Sequence, residues 1–165
     1  MNRKAVYAGS FDPITNGHLE IVRRAMRVFD EIVVAIARNP AKDSALFTSS
    51  ERVEMVEDAL RDVSDRVTVD SFEGLLVDYC DRVEATSIIR GLRAVSDFEY
   101  EFQMAMMNRH LNPRVETFFM TASEAYFYTA SRLVKEVVSF GGDVAGLVPE
   151  GVHRRLQEKL SRRRK

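Results

Sequence analysis

The chain has 165 residues, 45% hydrophobic and 30% charged, and its 24 Lys and Arg nearly cancel its 25 Asp and Glu. That length suits one domain with a single core, and the balanced charge gives no global field to draw in a long polyanion such as DNA. No run approaches the ~18 apolar residues of a membrane helix; one cysteine, Cys80, and three dispersed histidines, His18, His110 and His153, give neither a disulfide nor metal-ligand spacing, so a cytoplasmic protein with no nucleic-acid or membrane partner is expected.

Residues 5–8 are short and apolar, and Gly9-Ser10-Phe11-Asp12-Pro13 then breaks the run with turn formers, which predicts strand, loop, helix. Leu19, Val22, Met26 and Phe29 recur at steps of three or four and form the inward stripe of that helix, with Arg23, Arg24 and Arg27 toward water. Residues 32–37 are unbroken apolar, as in a parallel strand covered on both faces. Thr48 with Glu51 spells a capping box that opens a helix with Val53, Val56, Leu60 and Val63 inward, and 67–72 reads as the next strand.

The alternation continues with a helix over 75–82, a strand over 87–89, a helix over 97–110 and a strand over 117–120. Two helices follow, over 131–140 and 149–159, the second with Val152, Leu156 and Leu160 at steps of four. Five strands separated by helices predict an α/β protein: one domain over 1–160 with a doubly wound, five-stranded parallel sheet, Rossmann-like, with C-terminal helices and a basic tail at 161–165. Ligands of such sheets bind beyond the carboxyl ends of the strands.

Neither G-x-x-x-x-G-K-[ST] nor G-x-G-x-x-G occurs, which disfavours a P-loop or a dinucleotide site. The first strand runs instead into Gly9-Ser10-Phe11-Asp12-Pro13-Ile14-Thr15-Asn16-Gly17-His18, with T-x-G-H at the helix N-terminus, where unpaired N–H groups and the helix dipole favour phosphate. Gly17 allows close backbone approach and His18 can donate a hydrogen bond; the plainer alternative is an N-cap at Thr15 or Asn16 and a half-exposed surface histidine. Arg90 and Arg93, flanking Gly91 and Leu92 at the end of the fourth strand, could form a fork for phosphate oxygens or pair with Asp97, Glu99 and Glu101. Lys42 follows the second strand. Tyr126, Phe127, Tyr128, Thr129, Ala130, Ser131 and Arg132 lead into a helix after the fifth, either as a phosphate and pocket segment or as a cap at Ser131 beside core aromatics. All four segments fall at carboxyl ends of parallel strands.

With these residues assembled, the sequence resembles the bacterial phosphopantetheine adenylyltransferases, nucleotidyltransferases of the superfamily that shares [HT]-x-G-H with class I aminoacyl-tRNA synthetases. The resemblance spans roughly 4–160 and rests on G-S-F-D-P-I-T-N-G-H (9–18), N-P-A-K (39–42), I-R-G-L-R (89–93), D-F-E-Y-E (97–101), M-N-R-H (107–110) and L-V-K-E-V (133–137). It implies adenylyl transfer from ATP to 4'-phosphopantetheine, Mg²⁺ as cofactor, a homohexamer and feedback inhibition by coenzyme A. By the same likeness Ser10, Lys42, Leu76 and Arg90 match acceptor positions. Ser10, Phe11, His18, Gly91, Leu92, Arg93, Glu101 and 126–132 match ATP positions, with His18, Lys42 and Arg90 in the catalytic roles.

The chain departs from the family in two places: Thr129-Ala130-Ser131-Arg132 stands where relatives carry a run of serines, and Ser10 where many have threonine. The rival expectations are transfer to another acceptor, such as nicotinate mononucleotide, flavin mononucleotide or glycerol phosphate with CTP, and a nucleic-acid-binding module built on Arg154, Arg155, Lys159, Arg162, Arg163, Arg164 and Lys165.

Overall fold

The structure, a computed structural model, describes residues 3–38 and 45–161. Lys42 and the tail from 162 lie outside them. Strands β1 (Lys4–Gly9), β2 (Glu31–Ala37), β3 (Val67–Phe72), β4 (Ser87–Leu92) and β5 (Glu116–Thr121) form one sheet in the order β3-β2-β1-β4-β5. All four pairings are parallel, with Tyr7 opposite Val34 on one side and Ile89 on the other. The chain order reverses between β1 and β4, which puts the switch point, the usual ligand crevice of an open α/β sheet, at their carboxyl ends.

The strand period of two divides the core between the two faces. Tyr7, Ile32, Val34, Ile36 and Ile89 meet helices α1 (Asn16–Ala25), α2 (Ser49–Ala59), α5 (Ser131–Ser139) and α6 (Glu150–Ser161). On the opposite face Val6, Ala8, Val33, Ala35 and Ile88 meet α3 (Leu76–Arg82). The apolar run of β2 is thus buried on both sides, as its sequence predicts.

Helix α1 ends at Ala25, earlier than the expected stripe. Its buried residues are Gly17, Ile21, Val22 and Ala25, with Leu19 and Met26 only partly covered; Phe29 is buried from the turn that follows. The Thr48–Glu51 capping box forms as expected, with both reciprocal bonds present. Strand β4 runs three residues beyond the expected 87–89, so Arg90, Gly91 and Leu92 belong to the sheet edge itself. Helix α4 (Val95–Leu111) and edge strand β5 leave Phe98, Tyr100, Phe102, Met106 and Phe118 more than 40% exposed. Among the described residues no helix is long and apolar enough to cross a membrane. Of the C-terminal basic residues, Arg155 pairs with Glu54 and Lys159 with Glu51, so two of the charges that would serve a nucleic-acid module are engaged inside the fold.

Candidate active site

Two adjoining clefts open at the carboxyl edge of the sheet, of about 520 and 390 Å³. Arg90 and Glu101 line both and form the partition between them. Nε and Nη2 of Arg90 each donate to a carboxylate oxygen of Glu101 at 2.6 Å, and Nη1 donates to the carbonyl of Ala8. Burial works against the Arg90 charge, but the bonds and charge of Glu101 outweigh it and hold the guanidinium above its ordinary pKa. The expected pairing of these arginines with acids therefore occurs, with Arg93 donating to Asp97 at 3.1 Å, yet both remain on the cleft wall.

The smaller cleft lies over the β1–β4 switch point. It gathers Ser10, Phe11, His18, Gly91, Arg93, Tyr126 and the 129–132 segment from four separate elements. His18 sits at the third position of α1. Its Nδ1 accepts from the N–H of Thr15 at 3.0 Å, while the Thr15 hydroxyl takes the N–H of His18, so the histidine completes a capping box with the N-cap threonine. The ring lies edge-on to Phe11 at 5.1 Å and 6.4 Å from Tyr7. Burial first, then the charges of Arg93 and Arg90, lower its pKa to about 4, so at neutral pH it is an uncharged ring whose Nε2 carries the proton. Phe11 adopts φ of 44°, a left-handed conformation that a bulky residue takes only when its surroundings impose it.

On the facing wall, α5 begins at Ser131 with Ala130 as N-cap and no side-chain capping bond. Ser131 is not the cap; its hydroxyl donates to the carbonyl of Pro13 instead. The first-turn N–H groups of α5 are thus left for a ligand or water, with Thr129 and Arg132 beside them. Leu92, Phe127 and Tyr128 do not line the cleft. Leu92 engages the next segment through its carbonyl, which accepts from Ala122 N–H. Phe127 and Tyr128 are no core aromatics: they pair edge-to-face with each other and are 41% and 78% exposed.

The larger cleft is mostly apolar, lined by Phe72, Leu75, Leu76, Met104, Met107 and Leu111, and ends at the Arg90 guanidinium. Leu76, which the sequence places with the acceptor residues, lies here and not in the smaller cleft. Among the described residues no group of three or more His, Cys, Asp or Glu side chains could hold a metal. The groups that line the smaller cleft include guanidiniums, an imidazole, hydroxyl residues and the free amides of α5, with the Glu101 carboxylate held by Arg90, a set suited to phosphates.

Three residues to which the sequence assigns no role support this site. Tyr7, buried beneath the smaller cleft with its phenol pKa raised by desolvation, forms part of its floor. Arg52, 7% exposed, donates to the carbonyl of Ser10 at 2.7 Å, and Asp12, 5% exposed, takes three hydrogen bonds. Asp12 and Arg52 make their tying bonds to segments distant in sequence, so no local pattern reveals them.

A parallel α/β sheet with a T-x-G-H helix start at its switch point defines a nucleotidyltransferase, and the cytidylyltransferase-like family profile matches residues 6–136. The phosphopantetheine adenylyltransferase of Geobacter sulfurreducens is 57% identical over 157 residues, covering 95% of this chain and 94% of that protein. That of Syntrophus aciditrophicus is 55% identical over 159 residues, covering 96% and 95%. The chain belongs to the phosphopantetheine adenylyltransferase family. A crystal structure of a Vibrio parahaemolyticus protein assigned only provisionally as a nicotinate-nucleotide adenylyltransferase matches with a TM-score of 0.70 at 15% identity, covering 94% of this chain and 99% of that one, a likeness of fold.

Proposed function

We propose that the protein catalyses reversible transfer of the adenylyl group of ATP to 4'-phosphopantetheine, giving 3'-dephospho-coenzyme A and pyrophosphate. The observation that carries this reading is the pair of clefts partitioned by Arg90: an apolar one sized for an aliphatic amide arm, and a phosphate-binding one that holds His18. An arm in the first would bring its terminal phosphate to the guanidinium at the mouth of the second.

The reaction needs no nucleophilic side chain. The acceptor phosphate is largely dianionic near neutral pH, its second pKa being about 6. One of its oxygens attacks the α-phosphorus in line, an O–P bond forms, and the bond to the β-phosphate breaks with release of pyrophosphate. The protein aligns two anions and offsets the charge that develops. In this role His18 donates Nε2–H to the α-phosphate, Arg90 orients the acceptor, and Lys42 adds a second positive charge there. Ser10 serves the acceptor, while Ser10, Phe11, Gly91, Arg93, Glu101, Tyr126 and 129–132 serve ATP. Mg²⁺ would arrive bound to ATP, since among the described residues no group of three or more His, Cys, Asp or Glu side chains could hold it, and would supply positive charge beside the leaving pyrophosphate.

The exposed apolar surface of α4 and β5 supports association of copies, and a homohexamer is the assembly we propose. Coenzyme A carries both substrate halves and would span the two clefts as a feedback inhibitor. A cytoplasmic location agrees with the single buried, unpaired Cys80. The test gives purified protein Mg²⁺, ATP and in turn 4'-phosphopantetheine, nicotinate mononucleotide, flavin mononucleotide and, with CTP, glycerol phosphate. Pyrophosphate release with the first acceptor is expected, and turnover confined to another would overturn the assignment.

A further inference from the structure

Two of the segments that carry the family likeness contain charged residues to which the reaction gives no task, Asp12 and Lys135. Neither lines a cleft. Asp12 is a buried carboxylate: its Oδ1 accepts from the N–H of Phe47 and its Oδ2 from the N–H of Leu46, each at 2.9 Å, and Lys135 Nζ donates to Oδ2 at 2.6 Å. The loop after β1, the segment leading into α2 and the first half of α5 therefore meet at one side chain. The Ser131 hydroxyl, donating to Pro13 at 2.7 Å, fastens the same loop to the start of α5.

The two sides of this junction are the two walls of the smaller cleft. Ser10 and Phe11 precede Asp12 on one wall, while Ala130, Ser131 and Arg132 lie one turn before Lys135 on the other. A buried ion pair is a poor device for stability alone, because desolvation offsets its attraction. A carboxylate that needs donors from two other segments at once is satisfied at only one relative placement of all three. We propose that Asp12 and Lys135 are a positioning pair that sets the gap between the phosphate loop and the N-terminus of α5, and thereby the alignment of the nucleotide phosphates. The proposal rests on the adenylyl-transfer reading for the identity of the substrates.

Lys135→Met, Lys135→Arg and the double variant Asp12→Asn/Lys135→Met are compared with the parent by pyrophosphate-release kinetics and by calorimetric ATP binding, each value taken per folded molecule. Because displacement by about 1 Å can cost up to a hundredfold in rate, Lys135→Met is expected to lower kcat/KM for ATP about tenfold or more and to raise the ATP Kd. The KM for the acceptor, whose arm lies in the other cleft, rises less than the KM for ATP, a split that uniform loss of folded protein would not produce. Lys135→Arg, which keeps the charge, recovers most of the loss, and the double variant is no worse than Lys135→Met because the two residues act as one unit. Lys135→Met with unchanged ATP affinity and kcat/KM, or a folded Lys135→Arg as impaired as Lys135→Met, overturns the proposal. Should Lys135→Met not fold, the double variant, which buries no lone charge, is read by the same criterion. A parent inactive on 4'-phosphopantetheine would refute the acceptor assignment alone, since ATP affinity still reads the pair.

Discussion

The N–H of Thr15 donates to Nδ1 of His18 across 3.0 Å, so the helix cap also selects the tautomer of the ring that faces the nucleotide cleft. With Nδ1 acting as acceptor, the proton resides on Nε2. Nitrogen NMR of the imidazole should show a protonated Nε2 and a bare Nδ1 at pH 7, and titration should leave that state intact down to about pH 4. The ordinary value is 6.5, so between 6.5 and 4 the unfolded chain takes up a proton that the folded chain refuses. Stability from this group is full above 6.5 and declines as pH falls through that window. A ring that titrates near 6.5 in the folded protein would contradict this.

On the proposed mechanism, replacing His18 with alanine removes the donor aimed at the developing charge. Loss of one such donor costs about a hundredfold to a thousandfold in kcat in sites of this type. ATP affinity should change much less, because the guanidiniums and the α5 amides still face the phosphates. Steady-state kinetics beside direct ATP binding checks the split; an unchanged kcat removes His18 from the mechanism.

Arg90 and Glu101 form a fork with both bonds at 2.6 Å, with side chains 30% and 14% exposed. Arg90→Lys keeps the charge but cannot hold Glu101 bidentately and the Ala8 carbonyl as well. Its acceptor KM should rise about tenfold, the scale of one lost charge-assisted bond. Glu101→Gln should produce a smaller rise of the same kind, since the guanidinium keeps its place through Ala8. Equal KM values for parent and Arg90→Lys would show that the fork has no part in acceptor binding.

Much of the frame was legible because it depends on local pattern. The apolar run of β2, the Thr48–Glu51 box and the alternation of strand and helix each need only neighbours in sequence, and each is found in the structure. The phase of α1 was less so: of the expected stripe Leu19, Val22, Met26 and Phe29, Val22 and Phe29 are buried while Leu19 and Met26 are only partly covered, and packing against β4 buries Ile21 as well. His18 reads as a donor from its position, but its cap role escapes notice because such boxes are sought with Glu or Gln at the third position. Asp12 was hidden for another reason. Its partners Leu46, Phe47 and Lys135 are 34, 35 and 123 residues away, and turn sequences are rich in exposed aspartates.

Arg52 is a buried guanidinium whose partners among the described residues are carbonyls: Ser10, Ala37 and Thr48. It ties the loop after β1 to the end of β2 and the start of α2. Arg52→Met takes the guanidinium donor from the Ser10 and Ala37 carbonyls and should cost about 2–3 kcal/mol. For a chain of this size that lowers Tm by roughly 4–12 °C in thermal unfolding. Arg52→Lys should fall between, since one ammonium cannot reproduce the planar fork. A methionine variant that melts with the parent would show that water replaces the guanidinium without loss.

Gly91 packs so close to α1 that a methyl group added to it would lie 2.5 Å from Cδ1 of Ile21 and 3.5 Å from the Tyr7 hydroxyl. Ile21 is 4% exposed, so its side chain can yield only into a filled core. Gly91→Ala should therefore cost about 1–3 kcal/mol. Ile21→Val removes the offending methyl at a cost of about 0.5–1.5 kcal/mol by itself. The double variant should be more stable than the sum of the two by about 1 kcal/mol, because the residues are in contact. Gly91 also lines the nucleotide cleft, so the same pair separates packing from binding. If the glycine is needed for close approach of phosphate, Gly91→Ala/Ile21→Val melts above the sum of the two single losses and still binds ATP weakly. Recovery of ATP binding as well would make Gly91 a packing residue alone.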